Sequence, residues 1–421
     1  MIVTGKRKER VMAYDTFPLT QRTIFGLLGR NLFGVAFRPE ENVDWDAVIT
    51  ESGKQAVFMQ VFADCGQLSG LTPEHQERIR KNMLSGFMKN ARNHAQHSLM
   101  HRLLSAGGIS YTTLKGAASA RYYPDPQSRI MGDVDFYVDK SDLDRAVALF
   151  QKEGFEASGF EHISHVILRK ERIHMEMHHV PAGVPEGDVG KIIMEYLSDL
   201  REQAVLVENQ SVTCRCPSDF HHGLIMLMHL QHHLLAEGVG LRHLCDWAVF
   251  VSHFREAEFV ELFAKRLKRV GLWRLARLMA LCAALYLGLP EQSWMRESKD
   301  DDRIARALME DIIAGGNFGS KDPQRFYEGL FISNRGKDGV KSNRLQQGIQ
   351  ALNRITRQEY PALGSHALLL PVGWCVSMGR YLKNNIKRRK NGKKIDTFDA
   401  YKKSAPRISL YQRLGLYEPE Q

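Results

Sequence analysis

The sequence contains few cysteines and no arrangement of them that indicates a disulfide framework. Six cysteines are spread over 421 residues, and no two of them form a C-x-x-C pair. Disulfide frameworks are typical of short secreted chains in which cysteine makes up a much larger share of the residues. We therefore predict six reduced thiols and a cytoplasmic protein.

Long apolar segments are also absent. The basic residues 1–15 are not followed by the apolar run of a signal peptide. The apolar stretch at 367–379 contains Pro371 and is too short to span a bilayer. No internal repeat or low-complexity tract is evident either. These absences predict a globular protein without a membrane-spanning helix.

The positive charge of the chain is concentrated in one segment. The formal net charge is +10, and residues 380–394 hold eight lysines or arginines and no acid. Three interpretations of this segment remain open. It is a solvated tail behind a buried helix, a peripheral contact with an anionic membrane surface, or an arm that binds nucleic acid.

Hydrophobic residues make up 43% and charged residues 25% of the chain, as is typical of a globular protein with a sizeable core. A long helix is predicted from Thr72-Pro73 to Gly107. Its inward face is predicted to hold Met83, Phe87, Ala91 and His94 or Ala95. Strands and short helices then alternate, before the chain becomes helical again. We predict four regions: N-terminal helices (1–105), an α/β core (106–205), a helical domain (217–360) and an apolar-then-basic C-terminal region (361–421).

Two aspartates interrupt an otherwise apolar strand in the segment SRIMGDVDFYV. Val134 and Phe136 alternate with Asp133 and Asp135, so one face of the predicted strand is apolar and the other carries the carboxylates. Aspartate is depleted in strands, and an ordinary solvated face more often uses Thr, Lys or Gln. The pair therefore indicates a metal site, although a D-x-D in such a segment also occurs by chance.

A third carboxylate lies in the middle of another predicted strand, RIHMEMHHV. Glu176 shares one face of this strand with His174 and His178, while the intervening side chains are apolar. The two histidines could therefore contact substrate or orient the carboxylates.

If the two strands are neighbours with their polar faces aligned, Asp133, Asp135 and Glu176 converge. Three carboxylates in close contact cannot all remain ionised without cations. Two Mg²⁺ ions with oxygen ligands would compensate the charge and are often shared with substrate phosphates.

The order of these blocks resembles the polymerase-β-like nucleotidyltransferase superfamily. More narrowly, it resembles an uncharacterised bacterial nucleotidyltransferase family with LKG, YPxP, R, DxD and ExH motifs. In this chain TLKGAASARYYPDPQSRIMGDVDFYV precedes EGFEASGFEHISHVILRKERIHMEMHH, so that every block is present in order. The resemblance is strong over 106–182 and extends loosely to HLQHHLLAEGVGLRHLCDWAVF. It implies an α+β fold, in which a small mixed-sheet nucleotidyltransferase core is flanked by helical regions.

The resemblance also implies roles for the acidic residues. Asp133 and Asp135 would ligate the two Mg²⁺ ions. Glu176 would be either a third metal ligand or the base that accepts a proton from the acceptor.

Three further residues would bind the nucleotide phosphates if the resemblance holds. Gly116 stands where the superfamily's glycine lets the backbone approach the phosphates. The next residue is Ala117, where the superfamily usually has Gly or Ser, so Lys115 and Arg129 would carry more of the phosphate binding. Lys115 could instead be solvated, and Arg129 could pair with one of the two aspartates.

Polar residues at helical spacing also occur in the region after 217. His229 and His233 have the i, i+4 spacing that zinc enzymes use, but packed or hydrogen-bonded helix histidines are the simpler interpretation. Arg242 and Asp246 have the same spacing and are expected to form an ion pair along one helix. Their match to the family segment suggests either a structural link or a contact with the acceptor.

Taken together, these features predict Mg²⁺-dependent transfer of a nucleotidyl group from an NTP such as ATP, with release of pyrophosphate. The acceptor is unidentified and could be a small molecule, a glycan or a protein. Two alternatives are a non-catalytic relative that binds a nucleotide or protein, and a transferase directed to nucleic acid. Replacing Asp133 or Asp135 by asparagine should abolish transfer and, by relieving repulsion, raise the melting temperature in metal-free buffer.

Overall fold

The computed structural model describes residues 16–322 apart from 161–163, 181–183, 186 and 209–211, and then 366–376, 397–416, 418–420 and isolated positions between 325 and 379. The basic segment 380–394 therefore lies outside the described residues. The division into four regions stays a prediction.

Helices form the N-terminal part of the chain. They are α1 (Leu19–Phe33), α2 (Trp45–Lys54), α3 (Phe58–Val61) and α4 (Pro73–Ala106). The long helix α4 begins as predicted, because the Thr72 side chain accepts a hydrogen bond from the backbone N–H of His75 and Pro73 occupies the first turn.

A five-stranded mixed sheet follows α4, with the order β1-β2-β5-β4-β3. Only the central pair, β2 and β5, is parallel. The elements in chain order are β1 (Tyr111–Thr113), α5 (Ala117–Ala120), β2 (Val134–Val138), α6 (Leu143–Lys152), β3 (Glu156–Ser158), β4 (His165–Lys170) and β5 (Ile173–His178). One face of the sheet packs its apolar side chains, such as Phe136 and Met175, against α4 and α6. The fold class is α+β, as predicted.

The rest of the described chain is mainly helical. It contains α7 (Asp188–Tyr196), a two-stranded sheet of β6 (Val205–Glu208) and β7 (Thr213–Cys216), and then α8 (Asp219–Leu234), α9 (Leu241–Val251), α10 (Glu256–Arg269), α11 (Trp273–Leu287), α12 (Asp301–Gly315) and α13 (Thr397–Leu414). Buried side chains of α1–α3 share one apolar core with those of α8–α12. All six cysteines are free thiols, as predicted. Where the chain is described, none of its helices is both long and apolar enough to cross a membrane.

The predicted inward face of α4 is correct only in part. Met83 packs against the core and His94 is buried, but Phe87 and Ala91 are exposed. Asn90 and Asn93 are buried instead. The Asn90 amide donates to the carbonyls of Gln127 and Arg129 at 2.6 and 2.9 Å and accepts from the N–H of Met131. Asn93 donates to the carbonyl of Gly132 at 2.7 Å. A polar face of α4 therefore holds the loop that leads into β2, because that loop's backbone groups need partners once they are buried.

Replacing Asn90 by alanine is expected to lower the free energy of unfolding by about 2–4 kcal/mol, since three backbone groups lose a partner and two of these hydrogen bonds are buried. Lys89→Ala, on the exposed side of the same helix, should change it by less than about 0.5 kcal/mol. Urea unfolding of the two variants measures the difference. Equal stability of the two would show that the loop does not depend on Asn90.

Candidate active site

A cavity of about 190 Å³ lies between the polar face of the sheet and helices α8 and α9. Its walls come from the β1–α5 connection, the start of β2, the middle of β5, α8, α9 and the loop after α12. The lining side chains that bear charge or a ring are Lys115, Arg129, Asp133, Asp135, Glu176, His229, Arg242, His243, Asp246 and Phe318.

The three predicted carboxylates reach this cavity because of the register of the central strands. Asp135 is directly opposite Glu176 in the parallel pair β2–β5, so the two side chains project from the same face of the sheet. Asp133 lies one pleat before Asp135 at the mouth of the cavity. Its side chain is 59% exposed, whereas that of Asp135 is 7% exposed.

Lys115 and His178 contact the buried carboxylate of Asp135. The Lys115 ammonium lies 2.9 Å from Asp135 Oδ1, and His178 Nε2 lies 3.3 Å from the same atom. Burial by itself raises the pKa of Asp135, but the charge of Lys115 and the hydrogen bond from His178 outweigh it and hold the pKa below its usual value. Asp135 is therefore ionised at neutral pH.

Glu176 depends on the same histidine. His178 Nε2 lies 3.5 Å from Glu176 Oε2. This contact is the main reason that the pKa of Glu176 is below its usual value, despite partial burial. Burial lowers the pKa of His178, but its bonds to Asp135 and Glu176 raise it above the ordinary value.

In the described part of the chain, two groups of side chains bring enough ligand atoms together to hold a metal ion. The ligand atoms of Asp133, His174 and Glu176 lie within 4.8 Å of one another, as do those of His165, Glu176 and His178. The first group opens towards solvent and contains two carboxylates, whose hard oxygen atoms suit Mg²⁺. Glu176 belongs to both groups, and Asp135 lies directly beside it.

Gly116 lines the same cavity with a backbone conformation that suits glycine. Its φ of 63° lies in the region that side-chain-bearing residues rarely adopt. A Cβ at this position would meet His97 and Met131 only at ordinary contact distances of 3.7 and 4.0 Å. Backbone conformation rather than lack of space therefore favours glycine here.

Arg129 does not pair with Asp133 or Asp135. It forms a bidentate ion pair with Asp246 of α9, with Nε and Nη2 donating at 2.6 and 2.7 Å. Both side chains are almost fully buried, and the Tyr123 hydroxyl donates to the same carboxylate at 2.7 Å. This cluster joins the loop before β2 to α9, and its nucleotide-binding role stays a prediction.

The predicted ion pair between Arg242 and Asp246 is wrong, because Arg129 occupies that carboxylate. Within the described part of the chain, no acid lies within ion-pair distance of Arg242. Its guanidinium faces the ring of Phe318 at 5.2 Å, and its Nε atom is buried without a hydrogen-bond partner.

Histidines of α8 and α9 form the wall beside Lys115. His229 Nε2 lies 3.3 Å from the Lys115 ammonium and 3.0 Å from His233 Nε2. His229 and His233 are therefore hydrogen-bonded helix histidines, the simpler of the two interpretations. Burial, followed by the charge of Lys115, holds the pKa of His229 well below its usual value, so that it accepts a hydrogen bond from Lys115.

A family model described as "Uncharacterised nucleotidyltransferase" matches residues 41–288, more than half of the chain. The protein belongs to this nucleotidyltransferase family. No curated protein and no solved structure matches the chain. The family match contains all three carboxylates as well as Arg242 and His243, and it ends before Phe318.

Four residues that line or support this cavity were not predicted as such from the sequence: Tyr123, His243, Asp246 as the partner of Arg129, and Phe318. Tyr123 and Asp246 lie inside motifs that the sequence shows, and only their pairing across more than 100 residues was missed. Phe318 had a local signal, since an aromatic residue within the glycine-rich GGNFGS is unusual.

Proposed function

We propose that the protein is a Mg²⁺-dependent nucleotidyltransferase of the polymerase-β-like superfamily, which moves a nucleotidyl group from an NTP to an acceptor and releases pyrophosphate. The observation that carries this proposal is the pairing of Asp135 with Glu176 on neighbouring parallel strands, with Asp133 beside them, in one cavity. Family membership supports the reaction class.

Asp133, Asp135 and Glu176 would hold the metal, with His174 and His178 beside them. Bound there, Mg²⁺ would neutralise phosphate charge, activate the attacking oxygen and stabilise the departing pyrophosphate oxygen. The donor set fits this role, because Asp135 and Glu176 are ionised and Asp133 is open to solvent.

The environment of Glu176 supports a role as metal ligand rather than as general base. An efficient base has a pKa near the working pH, and the contact with His178 moves the pKa of Glu176 in the opposite direction. In the transfer itself, an acceptor oxygen bonds to the α-phosphorus while the bond to the pyrophosphate oxygen breaks. The acceptor's proton would then pass to solvent or to another group.

Purified protein should be incubated with each radiolabelled NTP, Mg²⁺ and cell extract, and the labelled product identified. Mg²⁺-dependent labelling with equal release of pyrophosphate is the expected result. Mg²⁺-dependent NTP binding without any transfer would support the non-catalytic alternative. Labelling only of nucleic acid would identify the acceptor class as nucleic acid.

Replacing Lys115 by alanine is expected to lower kcat/KM for NTP by about 10- to 150-fold, the value of a lost hydrogen bond to a charged group. Lys115 is the cation nearest to Asp135 and is held by His229. Once a metal compensates Asp135, its ammonium would be available to the triphosphate. Steady-state kinetics with NTP and Mg²⁺ titrated separately distinguish a change in NTP affinity from a change in metal requirement.

Lys152→Ala provides a matched control, because Lys152 is an exposed lysine on α6 and should leave both titrations unchanged. If Lys115→Ala also leaves both titrations unchanged, Lys115 is not part of the phosphate site.

A further inference from the structure

Arg242 is distinctive among the cations that line the cavity. Lys115 is paired with Asp135 and Arg129 with Asp246. Arg242 has no acidic partner among the described residues, although its Nε atom is buried. A guanidinium with an unsatisfied Nε–H donor in a partly desolvated cavity favours an anion, because leaving such a donor unpaired costs free energy.

His243, the next residue of α9, adds a second unsatisfied group. Its side chain is 6% exposed, and its Nδ1 atom accepts from the N–H of Gly240 at 3.3 Å. That bond leaves the proton on Nε2, which is buried without a partner and belongs to a side chain that lines the cavity. His243 is therefore a neutral donor beside the Arg242 guanidinium.

The loop after α12 holds this part of the cavity in place. Phe318 has a φ of 53° and a ψ of 45°, a left-handed conformation that is strained for a bulky residue. Its ring lies 4.9 Å from that of His243 and 5.2 Å from the Arg242 guanidinium carbon. A Cβ on Gly240 would lie 2.7 Å from Asn317 Cα, so glycine at this position allows the loop to approach α9.

We propose that Arg242 and His243, with Phe318 packed over them, form a binding subsite for a phosphate group, across the cavity from the three carboxylates. The planar fork of arginine matches two phosphate oxygens, and stacking on Phe318 fixes one face of the guanidinium and leaves its edge for the ligand. The phosphate group belongs either to the nucleotide or to a phosphorylated acceptor. This inference deepens the proposed function and rests on it for the identity of the molecule that carries the phosphate group.

The test measures binding of inorganic pyrophosphate by calorimetry without divalent cations, so that the carboxylates cannot bind it through a metal. Arg242→Gln keeps a polar side chain and removes the charge, and it should weaken binding about 10- to 100-fold. Phe318→Leu should weaken binding less, since it keeps the apolar cover and loses the stacking. Arg303→Ala, at an exposed arginine of α12, should leave binding unchanged.

A second arm uses a non-hydrolysable NTP analogue with Mg²⁺. A similar loss of analogue affinity in Arg242→Gln assigns the subsite to the nucleotide phosphates. Unchanged analogue affinity, with weakened pyrophosphate binding, assigns it to a phosphorylated acceptor. Equal pyrophosphate binding by wild-type protein and Arg242→Gln, or none by the wild type, overturns the subsite. If the wild type binds pyrophosphate through Arg242 but shows no Mg²⁺-dependent NTP binding, the proposed function fails and the subsite stands.

Discussion

Asp133→Asn and Glu176→Gln are each expected to lower the rate of nucleotidyl transfer by about 1,000-fold or more. Each substitution removes a charged oxygen ligand from the proposed metal site, and metal-assisted charge stabilisation is worth several kcal/mol in the transition state. Asp133 is largely exposed, and among the residues that the structure describes its one ion-pair contact is with His174 at 3.5 Å. Its replacement should therefore change the free energy of unfolding by less than about 0.5 kcal/mol.

Asp135→Asn should remove the activity as well, but its effect on stability differs. The sequence alone led us to expect a higher melting temperature for this variant, because three carboxylates would repel one another. In the structure, however, Asp135 is buried against Lys115 and His178. Neutralising it leaves Lys115 without its acid and His178 with Glu176 alone, and we expect a loss of about 1–3 kcal/mol.

Pyrophosphate release and thermal melting in metal-free buffer, measured for the same samples, separate the two effects. Asp144→Asn, at an exposed aspartate of α6, serves as the control for both. Full transfer activity in Asp133→Asn or Glu176→Gln would rule out the proposed metal site. A higher melting temperature for Asp135→Asn would mean that repulsion among the carboxylates outweighs the stabilisation of Asp135 by Lys115 and His178.

The sequence predicted the strands that carry the carboxylates because their signals are local. Alternation of Val134 and Phe136 with Asp133 and Asp135 fixes which side chains share a face, and the same holds around Glu176. The alternation within each strand could not predict the register between β2 and β5, because a helix and a hairpin separate these strands in the sequence. The order of the motifs, through the family resemblance, supplied the expectation that the two strands are neighbours.

The partners of the charged residues could not be predicted from local spacing. Arg242 and Asp246 are correctly spaced for a helical ion pair, yet the pair does not form because Arg129 approaches Asp246 from another part of the chain. The inward face of α4 was predicted only in part, for a related reason. Its periodicity identifies apolar residues, whereas the loop that it packs against requires the amides of Asn90 and Asn93.

Replacing Asp246 by alanine is expected to lower the free energy of unfolding by about 3–5 kcal/mol, the usual cost of leaving one member of a buried ion pair without its partner. The Arg129 and Asp246 side chains are 6% and 10% exposed. Burial lowers the pKa of Arg129, but Asp246 raises it above the ordinary value, so the guanidinium stays charged in the folded protein. The variant would therefore bury an uncompensated positive charge and leave the Tyr123 hydroxyl without its acceptor.

A double-mutant cycle with Arg129→Met and Asp246→Leu, measured by urea unfolding, isolates the interaction. The double variant should cost less than the sum of the two single variants, because it removes both charges and retains apolar bulk. Glu310→Ala, which breaks the exposed pair of Arg306 and Glu310, should cost only about 0.3–0.5 kcal/mol. A coupling energy near zero would show that Arg129 and Asp246 act independently. Since the pair joins the loop before Asp133 to the helix that carries Arg242, its loss should also weaken NTP binding in variants that still fold.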